Sequence, residues 1–177
     1  ELYDEKDIQL PSNSYFPEDA PDAAMFNWGE LRTYYGIPKK GPLPDTLARS
    51  LIHGYKACVS FIDAQIGRIL TTLEYLGLTE NTIVVFWGDN GWFLGEHGFW
   101  SKHSNFRRST HVPLILKVPW KDQGITTKAL IETVDIYPTL CELAGLSSPF
   151  HLQGKSFGPL MDDPDQRWKE AIFYRFK

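Results

Sequence analysis

The chain has 177 residues, 42% hydrophobic and 23% charged, with a net charge of −4 and a pI near 5.7. This composition supports a packed core and argues against disorder, and its acidic balance gives no support for a nucleic-acid surface. No stretch approaches the roughly 20 apolar residues of a membrane span, and Cys58 and Cys141 are too few for a disulfide framework and lie in no metal-type pair. The chain opens on Glu1 without the basic head or apolar stretch of a signal peptide, so it is expected to begin inside a longer product.

Residues 1–45 are rich in proline, aspartate and aromatics, as in Phe16-Pro17-Glu18-Asp19 and Gly41-Pro42-Leu43-Pro44. Repeated prolines break helical periods, so this segment is expected to be a surface excursion with one short helix near Asn27–Tyr35. It either packs on its own domain or forms the rim of a binding cleft. Over residues 46–76, Ile52, Tyr55, Val59, Ile62, Ile66, Ile69 and Leu73 recur at steps of three and four, which predicts a helix with one core-facing side. Asp45 is placed to cap its start and Gly77 to end it.

Residues 82–87, Thr-Ile-Val-Val-Phe-Trp, are apolar without alternation, the pattern of a strand buried on both faces of a parallel sheet. Residues 113–118 repeat it. A second helix is expected over Ile131–Ala144, with Val134, Tyr137, Leu140, Cys141 and Ala144 inward, and a third strand over residues 171–176. Alternation of helix and strand predicts an α/β fold, a partial mixed and largely parallel sheet flanked by helices.

The first strand runs into Gly88-Asp89-Asn90-Gly91, and in open α/β sheets ligands sit beyond the carboxyl ends of strands. The Asp89 carboxylate and Asn90 amide oxygen are hard donors that suit Ca²⁺, or less readily Mg²⁺. The same tetrapeptide is also ordinary turn chemistry. The following stretch, Trp92-Phe93-Leu94-Gly95-Glu96-His97-Gly98-Phe99-Trp100-Ser101-Lys102-His103, gathers an acid, two imidazoles and an ammonium in one apolar loop. Lys102 near a divalent cation would hold sulfate or phosphate oxygens from two sides. If the loop folds over the metal, Trp92, Phe93, Leu94 and Glu96 would line a sugar-sized cleft, an aromatic face stacking on a ring and a carboxylate accepting from hydroxyls. Each has a structural alternative: Trp92 as a loop anchor, His97 as a hydrogen-bonded structural residue, and Lys102 and His103 as solvated surface groups.

Several blocks carry a resemblance. They are Ser60-Phe61-Ile62-Asp63-Ala64-Gln65-Ile66-Gly67-Arg68, Gly88-Asp89-Asn90-Gly91 running to Gly98, Trp100-Ser101-Lys102, Thr110-His111-Val112-Pro113-Leu114-Ile115, Asp135-Ile136-Tyr137-Pro138-Thr139 and Leu152-Gln153-Gly154-Lys155-Ser156-Phe157. In order and spacing this set resembles the type I sulfatases of the alkaline-phosphatase superfamily, and most closely their iduronate-2-sulfatase branch. The resemblance implies hydrolysis of sulfate esters, of a sulfated uronic acid in glycosaminoglycans, with Ca²⁺ and a formylglycine whose hydrate attacks sulfur. It implies Asp89 and Asn90 as metal ligands, Asp89 also as acceptor of the hydrate proton, and Lys102 as a sulfate contact; His97, Trp92 and Glu96 are further candidates on the substrate side. The iduronate branch often carries His at the Asn90 position, and Arg107 stands where the family is usually acidic.

No segment here fits the formylglycine motif, so that residue and the remaining metal ligands are expected in an N-terminal part of the same protein, and the isolated chain is expected to be inactive. On this reading residues 1–45 are the excursion, 46–166 part of the sulfatase core, and 167–177 the start of a C-terminal subdomain strand. The expected partners are a sulfated saccharide and that N-terminal part, with no nucleic acid and no membrane. Family members are periplasmic, secreted or lysosomal. The alternatives are a phosphodiesterase or phosphonate hydrolase of the same superfamily, or a non-catalytic remnant serving as a binding module.

Overall fold

The structure, a computed structural model, describes residues 2–25 and 29–174. The chain forms two compact units. Among the described residues, one is built from the chain up to Gly77 together with Asn90–Pro113, the other from Leu78–Asp89 and residues 114–174.

The first unit is organised by helix α1, Asp45–Tyr75. Pro44 takes the capping position and Asp45 becomes the first helical residue, where its charge complements the helix dipole. The helix stops as expected: Gly77 adopts φ 65°, and the Leu76 and Gly77 N–H groups close back on Thr72 O and Glu74 O, both at 3.0 Å. Its buried side is shorter than the periodicity predicts. Ala48 and Ile52 pack with Ile8 and Trp100, bordered by Leu10, Leu31, Leu43, Leu51 and Leu94. Val59, Ile62 and Ile69, further along the same stripe, are exposed.

The N-terminal excursion packs on its own unit rather than trailing free. The Tyr3 hydroxyl meets Ser60 Oγ at 2.7 Å, the His53 ring meets Tyr3 O at 3.2 Å, and Arg49 donates to Ile8 O. The Arg32 guanidinium donates to Pro38 O (2.8 Å) and Gly41 O (2.6 Å), which closes the proline-rich turn that proline nitrogens cannot bond. The short helix expected near 27–35 is a 3₁₀ turn over Glu30–Thr33; Asn27 and Trp28 lie outside the described residues.

In the second unit, strand β1 (Val84–Trp87) pairs with strand β4 (Leu114–Lys117). The α/β composition stands, but this pairing is antiparallel, with Val84 opposite Lys117 and Trp87 opposite Leu114. The expected parallel order does not occur here because residues 88–113 supply no long crossover helix; parallel neighbours need one. Val85, Leu114 and Leu116 pack against Ile136, Phe157 and Leu160. Residues 171–174 form no strand; 175–177 lie outside the described residues.

The second helix begins later than the pattern suggests. A 3₁₀ turn over Thr133–Asp135 precedes α3, Ile136–Leu143. Asp135 Oδ2 accepts from the Glu132 N–H at 2.9 Å in a capping box, and this resets the helical phase. Ile136, Pro138, Thr139 and Cys141 therefore turn inward, while Val134, Tyr137 and Ala144, expected inside, are exposed.

Asp135 is fully buried and also receives the Lys155 N–H (2.7 Å) and the Lys169 ammonium (2.8 and 2.7 Å). The Thr139 hydroxyl donates to Asp135 O and accepts from the Phe157 N–H. Gly154 fits between these segments because a Cβ there would stand 1.9 Å from Val134 O. Lys169 also bonds Glu132 at 2.7 Å, and that bond with the Phe173 N–H holds the Glu132 carboxyl below its ordinary 4.5. Burial pulls the Lys169 ammonium down, but Asp135 and Glu132 outweigh it and raise it above 10.5.

A lowered carboxyl adds stability above its ordinary pKa that is lost as pH falls through the lowered value. Glu132→Gln is therefore expected to destabilise the protein near neutral pH, the difference from the parent shrinking as pH falls through the lowered Glu132 value. Urea denaturation across pH measures this, and a constant difference down to about pH 3 would contradict it.

Candidate functional site

Beyond β1 the chain turns through Gly88-Asp89-Asn90-Gly91. Gly91 is fixed by the next segment. Its N–H donates to Ser109 O at 2.9 Å, and an added Cβ would lie 1.7 Å from the Arg108 carbonyl oxygen. Only glycine admits that approach. The one-turn helix α2, Arg107–Thr110, thus presses on the backbone next to Asn90. Asp89 is exposed and belongs to the second unit; Asn90 is half-buried and opens this part of the first.

Strands β2 (Phe93–Leu94) and β3 (Trp100–Ser101) then form an antiparallel hairpin, with Phe93 opposite Ser101 and Leu94 opposite Trp100. Trp92 and Lys102 are the residues directly outside this pairing, before Phe93 and after Ser101. The Lys102 ammonium lies 5.8 Å from the Trp92 ring centroid, within reach of its negative face. The hairpin rests on an aromatic cluster. Phe93, 1% exposed, meets Phe99 (5.3 Å) and Phe106 (6.3 Å) edge-on, and the His97 ring stacks on Phe106 at 5.2 Å. Such rings fix position through area and through edge-to-face geometry.

The hairpin turn carries strained backbone. Gly95 and Gly98 adopt φ 112° and 71°, and the non-glycine residues His97 and Ser101 adopt φ 53° and 100°. Left-handed conformations cost non-glycine residues of order 1–3 kcal/mol and persist where packing over-determines them. Here the His97 N–H donates to Asn13 O at 2.7 Å, and Ser101 is buried directly before Lys102. Glu96 holds the turn from the other side. Its Oε2 accepts from the Leu94 N–H at 2.8 Å, its Oε1 pairs with Arg108 at 2.9 Å, and its side chain is 14% exposed. His103 Nε2 lies 3.3 Å from Glu30 Oε2, tying the residue after Lys102 to the excursion.

The residues expected at the site thus divide. Trp92 and Lys102 are brought into contact, whereas Glu96 and His97 are engaged by protein groups that shape the loop. Asp89 and Asn90 are adjacent hard oxygen donors, a chemical fit to Ca²⁺ or Mg²⁺, but they fill two of the six to eight positions calcium takes. Among the described residues no group of three or more His, Cys, Asp or Glu side chains is arranged to hold a metal ion. Sequence reading missed the Trp92–Lys102 contact and Arg108 as the partner of Glu96. The first had a signal: residues 92 and 102 flank the glycine-bounded turn symmetrically about His97.

Glu96→Gln is expected to loosen the turn and lower stability by about 1–3 kcal/mol, because Arg108 loses its charge partner and the Leu94 N–H bonds a weaker acceptor. Denaturant titration checks this; a stability unchanged from the parent would show that Glu96 does not hold the loop.

Comparison with known proteins gives consistent results. Residues 95–177 match the family model of the N-sulphoglucosamine sulphohydrolase C-terminal region. The chain is 35% identical to iduronate 2-sulfatase of Mus musculus, over 84% of the chain and 32% of that protein. It superposes with TM-score 0.72 and 33% identity on a protein solved in complex with its substrate D-glucosamine-2-N,6-O-disulfate, covering 78% of the chain and 29% of that structure. Phosphonate monoester hydrolase from Silicibacter pomeroyi shares the fold, with TM-score 0.75 at 24% identity, over 94% of the chain and 34% of that structure. The chain spans about a third of the length of the curated relatives it matches.

Proposed function

The chain belongs to the sulfatase family, and on that premise we propose that it forms part of an enzyme hydrolysing sulfate esters of a uronic-acid-containing glycosaminoglycan. The observation that carries this reading is the Lys102 ammonium held against Trp92 directly outside the β2–β3 pairing. A cation fixed in advance needs no reorganisation when charge builds on a sulfate oxygen, and that is how such groups lower a barrier. The relatives support the substrate class: one is iduronate 2-sulfatase, and one neighbour is solved with a sulfated glucosamine.

In this proposal Asp89 and Asn90 would supply two oxygen ligands to Ca²⁺, and the ion would polarise the sulfate oxygens when bound. Asp89 accepts the proton of the attacking hydroxyl. Lys102 would neutralise charge on a sulfate oxygen as the bond to the departing alcohol oxygen breaks. Trp92 offers a flat face to the saccharide, while Glu96 and His97 act on it through the shape of the loop that carries them. On this proposal the remaining metal ligands and a formylglycine nucleophile would be supplied from outside these 177 residues.

The test uses the complete protein. Lys102→Ala is expected to lower kcat/KM on a 2-sulfated iduronate disaccharide by about 10²–10³-fold, as the loss of one preorganised charge partner does. Asp89→Asn is expected to weaken Ca²⁺ binding at least about ten-fold, read directly by calorimetry. Near-parent kinetics for Lys102→Ala would remove it from the site, and preference for a phosphonate monoester over the sulfate ester would favour the phosphonate hydrolase alternative.

A further inference from the structure

One feature of the first unit is not used by this reaction. Between His97 and Pro113 the chain carries Lys102, Arg107, Arg108 and the imidazoles of His97, His103 and His111, with no acidic residue, although the whole chain is net −4. The two arginines sit on α2, the helix whose carbonyl and Ser109 oxygen clamp Gly91 beside Asn90. Phe106, the residue before them, is locked in the aromatic cluster under the hairpin, so the backbone that presents them is firmly placed. The Arg108 charge is offset by Glu96. Arg107 is exposed and makes no ion pair among the described residues.

An uncompensated guanidinium on a rigid backbone is matched to carboxylates and sulfates, which it grips through two parallel N–H bonds. We propose that Arg107 is a specificity-determining residue that binds a second anionic group, carboxylate or sulfate, on a saccharide whose sulfate ester is held at Lys102. This deepens the proposed function and rests on it. The substrate is then a polyanionic oligosaccharide rather than a singly sulfated sugar, and selectivity resides in binding rather than in the chemical step. Lys102 alone would serve both classes; Arg107 tells them apart.

The test measures binding, with the complete protein, of a heparin-derived hexasaccharide and of glucosamine 6-sulfate. Four proteins are compared: the parent, Arg107→Glu, the conservative Arg107→Lys, and Lys40→Glu, an equal charge change at an exposed lysine on the proline-rich turn. Arg107→Glu is expected to weaken the hexasaccharide about five-fold or more and to flatten the salt dependence of its dissociation constant. The monosaccharide is expected to change less than about two-fold, Arg107→Lys to recover part of the loss, and Lys40→Glu to stay within about two-fold of the parent. Equal losses for Arg107→Glu and Lys40→Glu would reduce the effect to net charge and overturn the proposal. So would an unchanged hexasaccharide affinity. If either result came with normal turnover of simple sulfate esters, the sulfatase reading would stand and this inference alone would fall.

Discussion

The arrangement depends on keeping an ammonium in one place. Lysine has a long flexible stem, and holding it costs side-chain entropy of up to about 2 kcal/mol. Three restraints act together at Lys102. It follows directly on a buried residue in a left-handed conformation, its ammonium lies over an indole face, and its hairpin is pinned by three phenylalanine rings. Strained backbone at Ser101 and His97 is the cost of that placement, and the aromatic cluster offsets it.

The surrounding chain is arranged to hold the hairpin rather than to react. Glu96 ties the turn to α2 through Arg108, and α2 in turn clamps Gly91. The excursion contributes Asn13, Tyr15 and Glu30 as partners for His97 and His103. A residue with a chemistry-bearing side chain in a loop of this kind is therefore not by that fact a reacting group. In the second unit a different device does similar work. The buried Asp135 carboxylate gathers Glu132, Lys155 and Lys169, which explains why the Asp135-Ile136-Tyr137-Pro138 and Gly154-Lys155-Ser156-Phe157 blocks occur together.

Much of this was legible in the sequence where local physics decides. The long helix, its glycine stop and the two four-residue strands follow from periodicity and turn chemistry. Strand direction did not, because an apolar run such as Val84–Trp87 says nothing about which neighbour it meets or which way that neighbour runs. The phase of α3 was not legible because the 3₁₀ turn over Thr133–Asp135 reads in the sequence as one continuous helix with Ile136–Leu143. The core face of α1 was overestimated because periodicity marks a face able to be buried, not what covers it. At the site, residue types and order were readable, but the Trp92–Lys102 contact needed the hairpin register.

The proposed function rests on Lys102 as the sulfate contact, with Asp89 and Asn90 proposed as metal ligands. A crystal structure of the complete protein with Ca²⁺ and a sulfated disaccharide tests it most directly. The account predicts Lys102 Nζ within about 2.7–3.2 Å of a sulfate oxygen and the Asp89 and Asn90 oxygens about 2.3–2.6 Å from the metal. Sulfate and metal bound elsewhere, with the Lys102 ammonium left in bulk solvent, would contradict it.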